Sequence, residues 1–527
     1  MRIQILVLLS VLAGLPNHLY AQAQIRKLPP NINHPTINVS VPFTNLDGNA
    51  LIFLSDYADD GKIVMYFSTR MDGVNWKDPV MLPKTINSGL NFLKGFTLSP
   101  DGKTIYLTNS RSGGLGGFDI YKVEQKGSFW SELTNLGLPL NSKGNDGSPT
   151  FSADGSAVYF MRCEKMTFDK AENCKLMMSK KNPKGQWDEP VELPASINTG
   201  NSQTPRIMGD GETLIFSSDK FSQSKGGMDL YMTRWNGSTW SAPLGLDFVN
   251  TPNDDQFVSA TSLGRYLMKD APGQRKSEIV EVIFPSSIKP KTTMKVEGMA
   301  SPPTAYVSVF NKKDQSKVFN GRPSATGSFL LYLNEGNKYD LSIEPEQDNY
   351  TFYSKEFDLS GDKFPQIEKV AATLKPVSVG DEIELAGISF KPNSFELTTS
   401  SNQELRRLVR MIKGNLTLSF NLDITLFGYR QDSIQLDEDL TEEYADTLRI
   451  PVQYTVNDTI SNATSIVTRD SLVVKKMFHN DRTPHQSLEV VNYLVSQGVP
   501  AKNLTVSHHA ITALPENRKL LIKINVK

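Results

Sequence analysis

Phe96-Thr-Leu-Ser-Pro-Asp-Gly-Lys-Thr-Ile-Tyr-Leu-Thr108 alternates apolar and polar residues on both sides of an Asp-Gly pair, the pattern of a tight antiparallel hairpin. The same pair returns at Asp47-Gly48, Asp154-Gly155 and Asp210-Gly211, and Leu263-Gly264 holds a fifth place. An asparagine keeps step with it. Asn33, Asn87, Asn141, Asn198 and Asn250 sit in near-identical settings at spacings of 54, 54, 57 and 52 residues. Trp76, Trp130, Trp187 and Trp240 mark the ends of four units. A fixed period of this length means repeated units that bury their faces only against one another. The phase is circularly shifted, because the first Asn precedes the first Asp-Gly and the fifth unit lacks its own Trp and Asn. A ring explains that shift and a solenoid does not, with Ile25 to Asn33 supplying the outer strand of the last unit. The expected fold over residues 24–290 is a five-bladed β-propeller.

At 527 residues the chain has room for several domains, and a net charge of -1 offers no basic face for nucleic acid. Met1-Arg2, an apolar run and Ala21-Gln22-Ala23 read as a secretory signal peptide over 1–23. No later segment is long and apolar enough for a transmembrane helix. The two cysteines, Cys163 and Cys174, lie eleven positions apart on strands that face each other across a hairpin. In an oxidising compartment they are expected to form a disulfide, the alternative being two separate thiols. Gly116-Gly117-Phe118-Asp119-Ile120-Tyr121 and Gly226-Gly227-Met228-Asp229-Leu230-Tyr231 repeat one element. No helix follows either, so a nucleotide loop is excluded and the glycines are structural.

Ser99-Pro-Asp-Gly-Lys-Thr-Ile-Tyr106 and the Gly-Gly-Phe-Asp-Ile-Tyr element resemble the WD-like, Pro-Asp-type propeller repeats of TolB. They resemble still more the propellers of Bacteroidota envelope proteins that end in an OmpA-like domain. From about Lys291 the period disappears. Short strands joined by Gly and Asn turns, including Thr326-Gly-Ser-Phe and Gly336-Asn-Lys-Tyr, predict a small β-sandwich over 291–376. This segment resembles carboxypeptidase regulatory-like domains, which are spacers.

Residues 377–527 switch to mixed α/β. Glu404–Lys413 places Leu405, Leu408, Val409 and Ile412 on one helical stripe, and Ser487–Ser496 repeats the pattern through Leu488, Val491 and Leu494. Ile388-Ser-Phe-Lys-Pro-Asn-Ser-Phe-Glu-Leu397 and Val490-Val-Asn-Tyr-Leu-Val-Ser-Gln-Gly498 resemble OmpA-like domains, as does the closing Pro515-Glu-Asn-Arg-Lys-Leu-Leu-Ile-Lys. That family binds the diaminopimelate of peptidoglycan on the periplasmic side of the outer membrane. Its motifs supply a carboxylate for the ligand's ammonium and an arginine for its carboxylate, a charge-assisted pair. Here Gln431 stands at the carboxylate position and Gln486 at the arginine position. Asp432, one place late, and Arg482, four places early, leave a rearranged site open as the alternative.

A polar, strand-like insertion spans about 431–480. It carries Asp432-Ser433, Asp446-Thr447, Asp458-Thr459 and Asp470-Ser471, each followed by an aliphatic residue. This resembles the Asp-Ser/Thr-aliphatic sequon of Bacteroidota periplasmic O-glycosylation and implies glycans at Ser433, Thr447, Thr459 or Ser471; the plain alternative is turn and strand-edge chemistry. Enzyme motifs are missing. No Gly-x-Ser-x-Gly occurs, and His508-His509 adjoin on a predicted strand, whose neighbours point to opposite faces and suit a shared metal poorly. No catalytic residue, metal or cofactor is expected. The expectation is a non-enzymatic periplasmic scaffold associated with the outer membrane. Its partners would be subunits of an outer-membrane machine such as those of type IX secretion, which such chains resemble. The alternative is a peptidoglycan-binding anchor.

Overall fold

The computed structural model describes residues 25–527 except 58–61, 89–94, 128, 222–223, 273–275, 362, 393, 430, 433–441, 458–463, 480, 514 and 516–518; for 431–432, 442–448 and 475–479 it describes the backbone alone. The segment read as a signal peptide lies outside the described residues. The chain divides into two compact units, Met1–Met294 and Lys295–Lys527.

The first unit is a β-propeller of antiparallel sheets in which each sheet is built in sequence order. The first sheet holds Val39–Thr44, Ala50–Ser55, Val64–Thr69 and Val80–Met81, and the second holds Thr97–Leu98, Thr104–Asn109, Asp119–Lys126 and Thr134–Asn135 with Phe129–Trp130 added. The third holds Asn145–Phe151, Ala157–Met166, Ala171–Lys180 and Val191–Glu192. Gln203–Ile207, Thr213–Ser218, Asp229–Arg234 and Leu244–Gly245 make the fourth. In the fifth, Val258–Thr261, Tyr266–Pro272 and Ser277–Ile283 are completed by Ile25–Lys27 from the other end of the chain. The register runs Ile25↔Val282 to Lys27↔Val280, antiparallel.

The repeated residues explain this geometry. Gly48, Gly102, Gly155, Gly211 and Gly264 all have φ between 66° and 92° at the turn between the first two strands, where a side chain is disfavoured. The five asparagines each clamp one residue of a third strand through its backbone N–H and C=O. Asn87 holds Met65, Asn141 holds Ile120, Asn198 holds Leu176 and Asn250 holds Leu230. Asn33 holds Ile279 of the fifth sheet, accepting from its N–H and donating to its C=O at 2.8 Å each. A primary amide offers one acceptor and two donors, so the buried side chain supplies the acceptor that the third-strand N–H lacks where the fourth strand falls short. It also adds a second donor to a carbonyl that a backbone N–H (Leu28, Leu82, Leu136, Leu193 or Leu246) already meets. Glu281, 1 % exposed, then takes Arg26 of the N-terminal strand and Arg70 of the first sheet.

Adjacent sheets bond to one another, and the fifth returns to the first. Thr44 donates to the carbonyl of Ala260 at 2.7 Å, the Ser148 N–H to Thr108 Oγ1 at 2.8 Å, and Thr204 to the carbonyl of Gln256 at 2.9 Å. Cys163 and Cys174 are directly opposite across the third sheet and joined by a disulfide, as the sequence predicts.

The second unit opens with two sheets. One runs Ser328–Asn334, Thr293–Ser301, Ile367–Thr373, and the other Lys317–Gly321, Tyr306–Asn311, Lys338–Glu344, Tyr353–Asp358. A mixed sheet follows, ordered Glu382–Glu384, Leu520–Val526, Phe420–Phe427, Leu504–Ile511. Counting the short helix Lys84–Asn87 as α1, helices α2 (Asn402–Lys413) and α3 (Thr483–Ser496) join these strands. Leu405, Leu408, Ile412, Val490 and Leu494 pack on Phe420, Leu422, Ile424 and Ile524, all buried.

Two helical expectations need correction. Leu488 is exposed, and α3 buries Gln486, Ser487, Val490 and Leu494 instead of the predicted 488/491/494 stripe. Polar residues in the first turn set its buried face, and hydropathy does not register them. In α2, Val409 is only partly buried while Met411 is buried.

The insertion is a long antiparallel hairpin, Glu442–Asn457 with Thr464–His479, in unbroken register from Glu442↔His479 to Asn457↔Thr464. Gln431–Asp432 adds a short third strand at its root.

Candidate functional site

The four residues singled out by the sequence resemblance fall at two places. Gln431 and Asp432 pair through their backbones with His479 and Phe478 at the hairpin root; their side chains lie outside the described residues. Arg482 and Gln486 share the first turn of α3, where the Gln486 N–H donates to the Arg482 carbonyl at 2.9 Å. Asp481 caps this turn by accepting from the Thr483 N–H at 3.0 Å and its hydroxyl at 2.6 Å. Phe395, from the Ile388–Leu397 entry segment, stacks on His485 with ring centroids 5.5 Å apart. Gln486 is 0 % exposed, and neither amide atom finds a partner among the described residues. A neutral, fully buried amide therefore stands at Gln486, the position that the sequence resemblance aligns with an arginine.

Of the residues implied as glycosylated, Ser433 and Thr459 lie outside the described residues. Thr447 is described by its backbone, opposite Val474, and Ser471 is partly exposed opposite Ile450. His508 and His509 are on the strand Leu504–Ile511, with His509 Nε2 3.7 Å from Asp423.

The structure adds three features that the sequence motifs do not announce. The first is a charged cluster inside the second unit. Arg407 of α2 contacts Asp340 at 3.0 Å, Glu344 at 3.1 Å and Glu404 at 2.6 Å, while Arg410 also takes Glu344 and Ser354 donates to Glu404. Burial pushes the Glu404 carboxyl up to about 7, against the pull of Arg407. Glu344 is held below its ordinary value; Arg407 and Arg410 outweigh the burial that opposes them. The i,i+3 spacing of Glu404 and Arg407 was readable, but their acidic partners come from a strand more than sixty residues away.

The second is a cleft of about 1040 Å³ beside the strands Tyr353–Asp358, Ile367–Thr373 and Glu382–Glu384. Much of its charge is paired, Lys355 with Glu368, Lys375 with Asp381 and Lys338 with Asp358.

The third is a small pocket of about 40 Å³ lined by the first strands of all five sheets of the first unit. Phe43, Thr97, Thr150, Arg206 and Ser259 line it, each four residues before the Asp of its Asp-Gly pair or the equivalent Leu263. The repeat thus carries the signal for this ring, although one copy alone does not.

A mainly β chain with a propeller-type first unit is the class these observations define. No family model matches it, and no curated protein matches it. Among solved structures it is similar to a putative TolB from Agrobacterium tumefaciens, at 14% identity and TM-score 0.28, over 56% of this chain and 90% of that one. It is also similar to an endo-arabinase from Bacteroides thetaiotaomicron, at 14% identity and TM-score 0.32, over 50% and 99%. An oligogalacturonate lyase from Vibrio parahaemolyticus matches at 12% identity and TM-score 0.30, over 51% and 96%. At these scores the likenesses carry no argument about activity.

Proposed function

We propose that the chain is a non-enzymatic periplasmic scaffold, an adaptor subunit of an outer-membrane protein machine for secretion or outer-membrane protein assembly. In this reading residues 24–290 are a five-bladed β-propeller, 291–376 a β-sandwich spacer and 377–527 an OmpA-like domain that has lost diaminopimelate binding. The order of sheets closed by Ile25–Lys27 supports the first element. The strand–helix–strand–helix–strand–strand succession around one mixed sheet supports the third. The buried, neutral Gln486 supports the loss of the ligand.

The hairpin carries the reading. Ile450, Val452, Tyr454 and Val456 recur at every second position and share one face, and Val467 stands opposite Tyr454 on that face. Ile450, Tyr454 and Val456 are each more than 40 % exposed. A two-stranded ribbon has no second layer of its own to cover such a face, whereas a protein partner does.

The test is affinity purification of the tagged chain from its own envelopes, beside a variant lacking the hairpin. One or more outer-membrane proteins recovered in near-stoichiometric amount, and lost with the hairpin, are expected. Recovery of the full chain alone, or of the same proteins with both forms, would remove the basis for the proposal.

A further inference from the structure

Arg206 is 2 % exposed inside the propeller, and the cavity it lines contains no Asp or Glu. Its Nη1 donates to the Pro205 carbonyl at 2.7 Å, and its guanidinium lies 4.8 Å from the centre of the Phe43 ring. Its Nε finds no acceptor among the described residues. Burial lowers its pKa to about 9, with no acidic neighbour pulling it back up. The Thr97 hydroxyl, from the equivalent position of the second sheet and 1 % exposed, also finds no partner among the described residues. Thr150 and Ser259 bring two more hydroxyls to the same ring. Ser259 is already engaged with Thr44.

An isolated cation in an apolar interior costs far more than an unmade hydrogen bond, and arginine does not escape by losing its proton. A water molecule in the cavity would satisfy donors but leave the charge. An anion satisfies both. The pocket has about 40 Å³ of room, enough for a halide-sized ion.

We infer that the pocket lined by the five first strands binds one small monovalent inorganic anion, held by Arg206 Nε and Thr97 Oγ1. The ion neutralises the one guanidinium of the ring and ties the second sheet to the fourth. This site is independent of the scaffold reading and stands or falls without it.

Thermal melts of the mature chain in sodium chloride and in sodium gluconate at equal ionic strength provide the first test. Chloride is expected to raise the midpoint by roughly 3 °C, saturably, because an ion bound only by the folded state stabilises it by mass action. Arg206→Met removes the charge that calls for the ion. It should fold in gluconate at least as well as the parent and lose the chloride response. Thr97→Val keeps the charge and should shift the response to higher chloride. Crystals grown in sodium bromide should show one anomalous peak within hydrogen-bonding distance of Arg206 Nε. Equal midpoints in the two salts, or a cavity holding water without anomalous signal, would overturn the inference.

Discussion

Arg407 and Asp340 meet at 3.0 Å although 67 positions separate them. The contact fastens helix α2 to the strand Lys338–Glu344, and both partners are almost fully buried. Arg407 also serves Glu344 and Glu404, so its fork is the hub of three carboxylates. Removing it as Arg407→Met strands those acids in a low-dielectric site. A loss of about 3–5 kcal/mol is expected, the range for breaking a buried pair on one side. Arg407→Lys should recover little of it, since one ammonium does not reproduce the planar fork. Urea unfolding of the full chain, followed by a probe in the second unit, measures this. Equal midpoints for parent and Arg407→Met would show that the cluster contributes no stability.

The same cluster makes a pH prediction. In the folded chain Glu404 keeps its proton up to about 7, whereas the unfolded chain releases it near the ordinary value of 4.5. Between those values the native state binds more protons, so its stability falls as pH rises. This contribution is fully present below pH 4.5 and lost as pH passes through about 7, amounting to on the order of 3 kcal/mol. Glu404→Gln should flatten that window. A second unit whose stability is level from pH 5 to pH 8, in parent and variant alike, contradicts the assignment.

The repeat was legible because backbone geometry demands particular residue types. A positive φ at Gly102 favours glycine, and a strand position needing both an acceptor and a donor at Met65 favours an amide such as Asn87. Such demands recur with the period and so stand out in one sequence. The disulfide was legible from the spacing of Cys163 and Cys174 across a hairpin. The Arg407 cluster was not, because its partners lie on separate elements and no local pattern links them. Gln486 was visible as a departure from a motif, but its complete burial was not, since amphipathic periodicity assigns a glutamine to solvent. The shifted stripe of α3 has the same cause.

Ring closure by the N-terminus is the third prediction. Asn33 satisfies both backbone groups of Ile279, and Arg26 shares Glu281 with Arg70. Asn33→Ala leaves the buried Ile279 N–H without its acceptor, at about 1–3 kcal/mol, while the Ile279 carbonyl keeps the Leu28 N–H at 3.2 Å. Deleting residues 24–36 removes the strand as well and exposes the edge of Ser277–Ile283, so its cost should exceed that of the point change. Calorimetry on both variants decides the matter. A truncated chain melting with the parent would mean that the first unit closes without its N-terminal strand.

Glycosylation of the hairpin is the fourth. Ser471 stands opposite Ile450, on the apolar face proposed for a partner. A glycan at Ser471 would be bulky and would cover that face. The expected outcome is a glycan at one or more of Ser433, Thr447 and Thr459, with Ser471 unmodified. Intact mass and peptide mapping of protein from its native envelope check it; a mass equal to the processed, disulfide-bonded polypeptide sinks the modification altogether.

The last prediction concerns the cell wall. Diaminopimelate presents an ammonium and a carboxylate together, and a charge-assisted pair needs an acid and a guanidinium on the protein. Gln431 and Gln486 offer neither charge, and Gln486 has no exposed surface with which to meet a ligand. Arg482, the other cation of this turn, is itself only 4 % exposed. The mature chain is therefore expected to stay in solution when mixed with purified sacculi, with or without free diaminopimelate. Gln431→Asp combined with Gln486→Arg restores the family's charges on paper. In the folded chain the new guanidinium would enter a fully buried position one turn from Arg482, so the pair of changes should lower stability before it yields binding. Saturable retention of the unmodified chain, displaced by diaminopimelate, would restore the anchor reading. If Arg482→Gln and Asp432→Asn then abolished that retention, the ligand would be held by the shifted pair of charges.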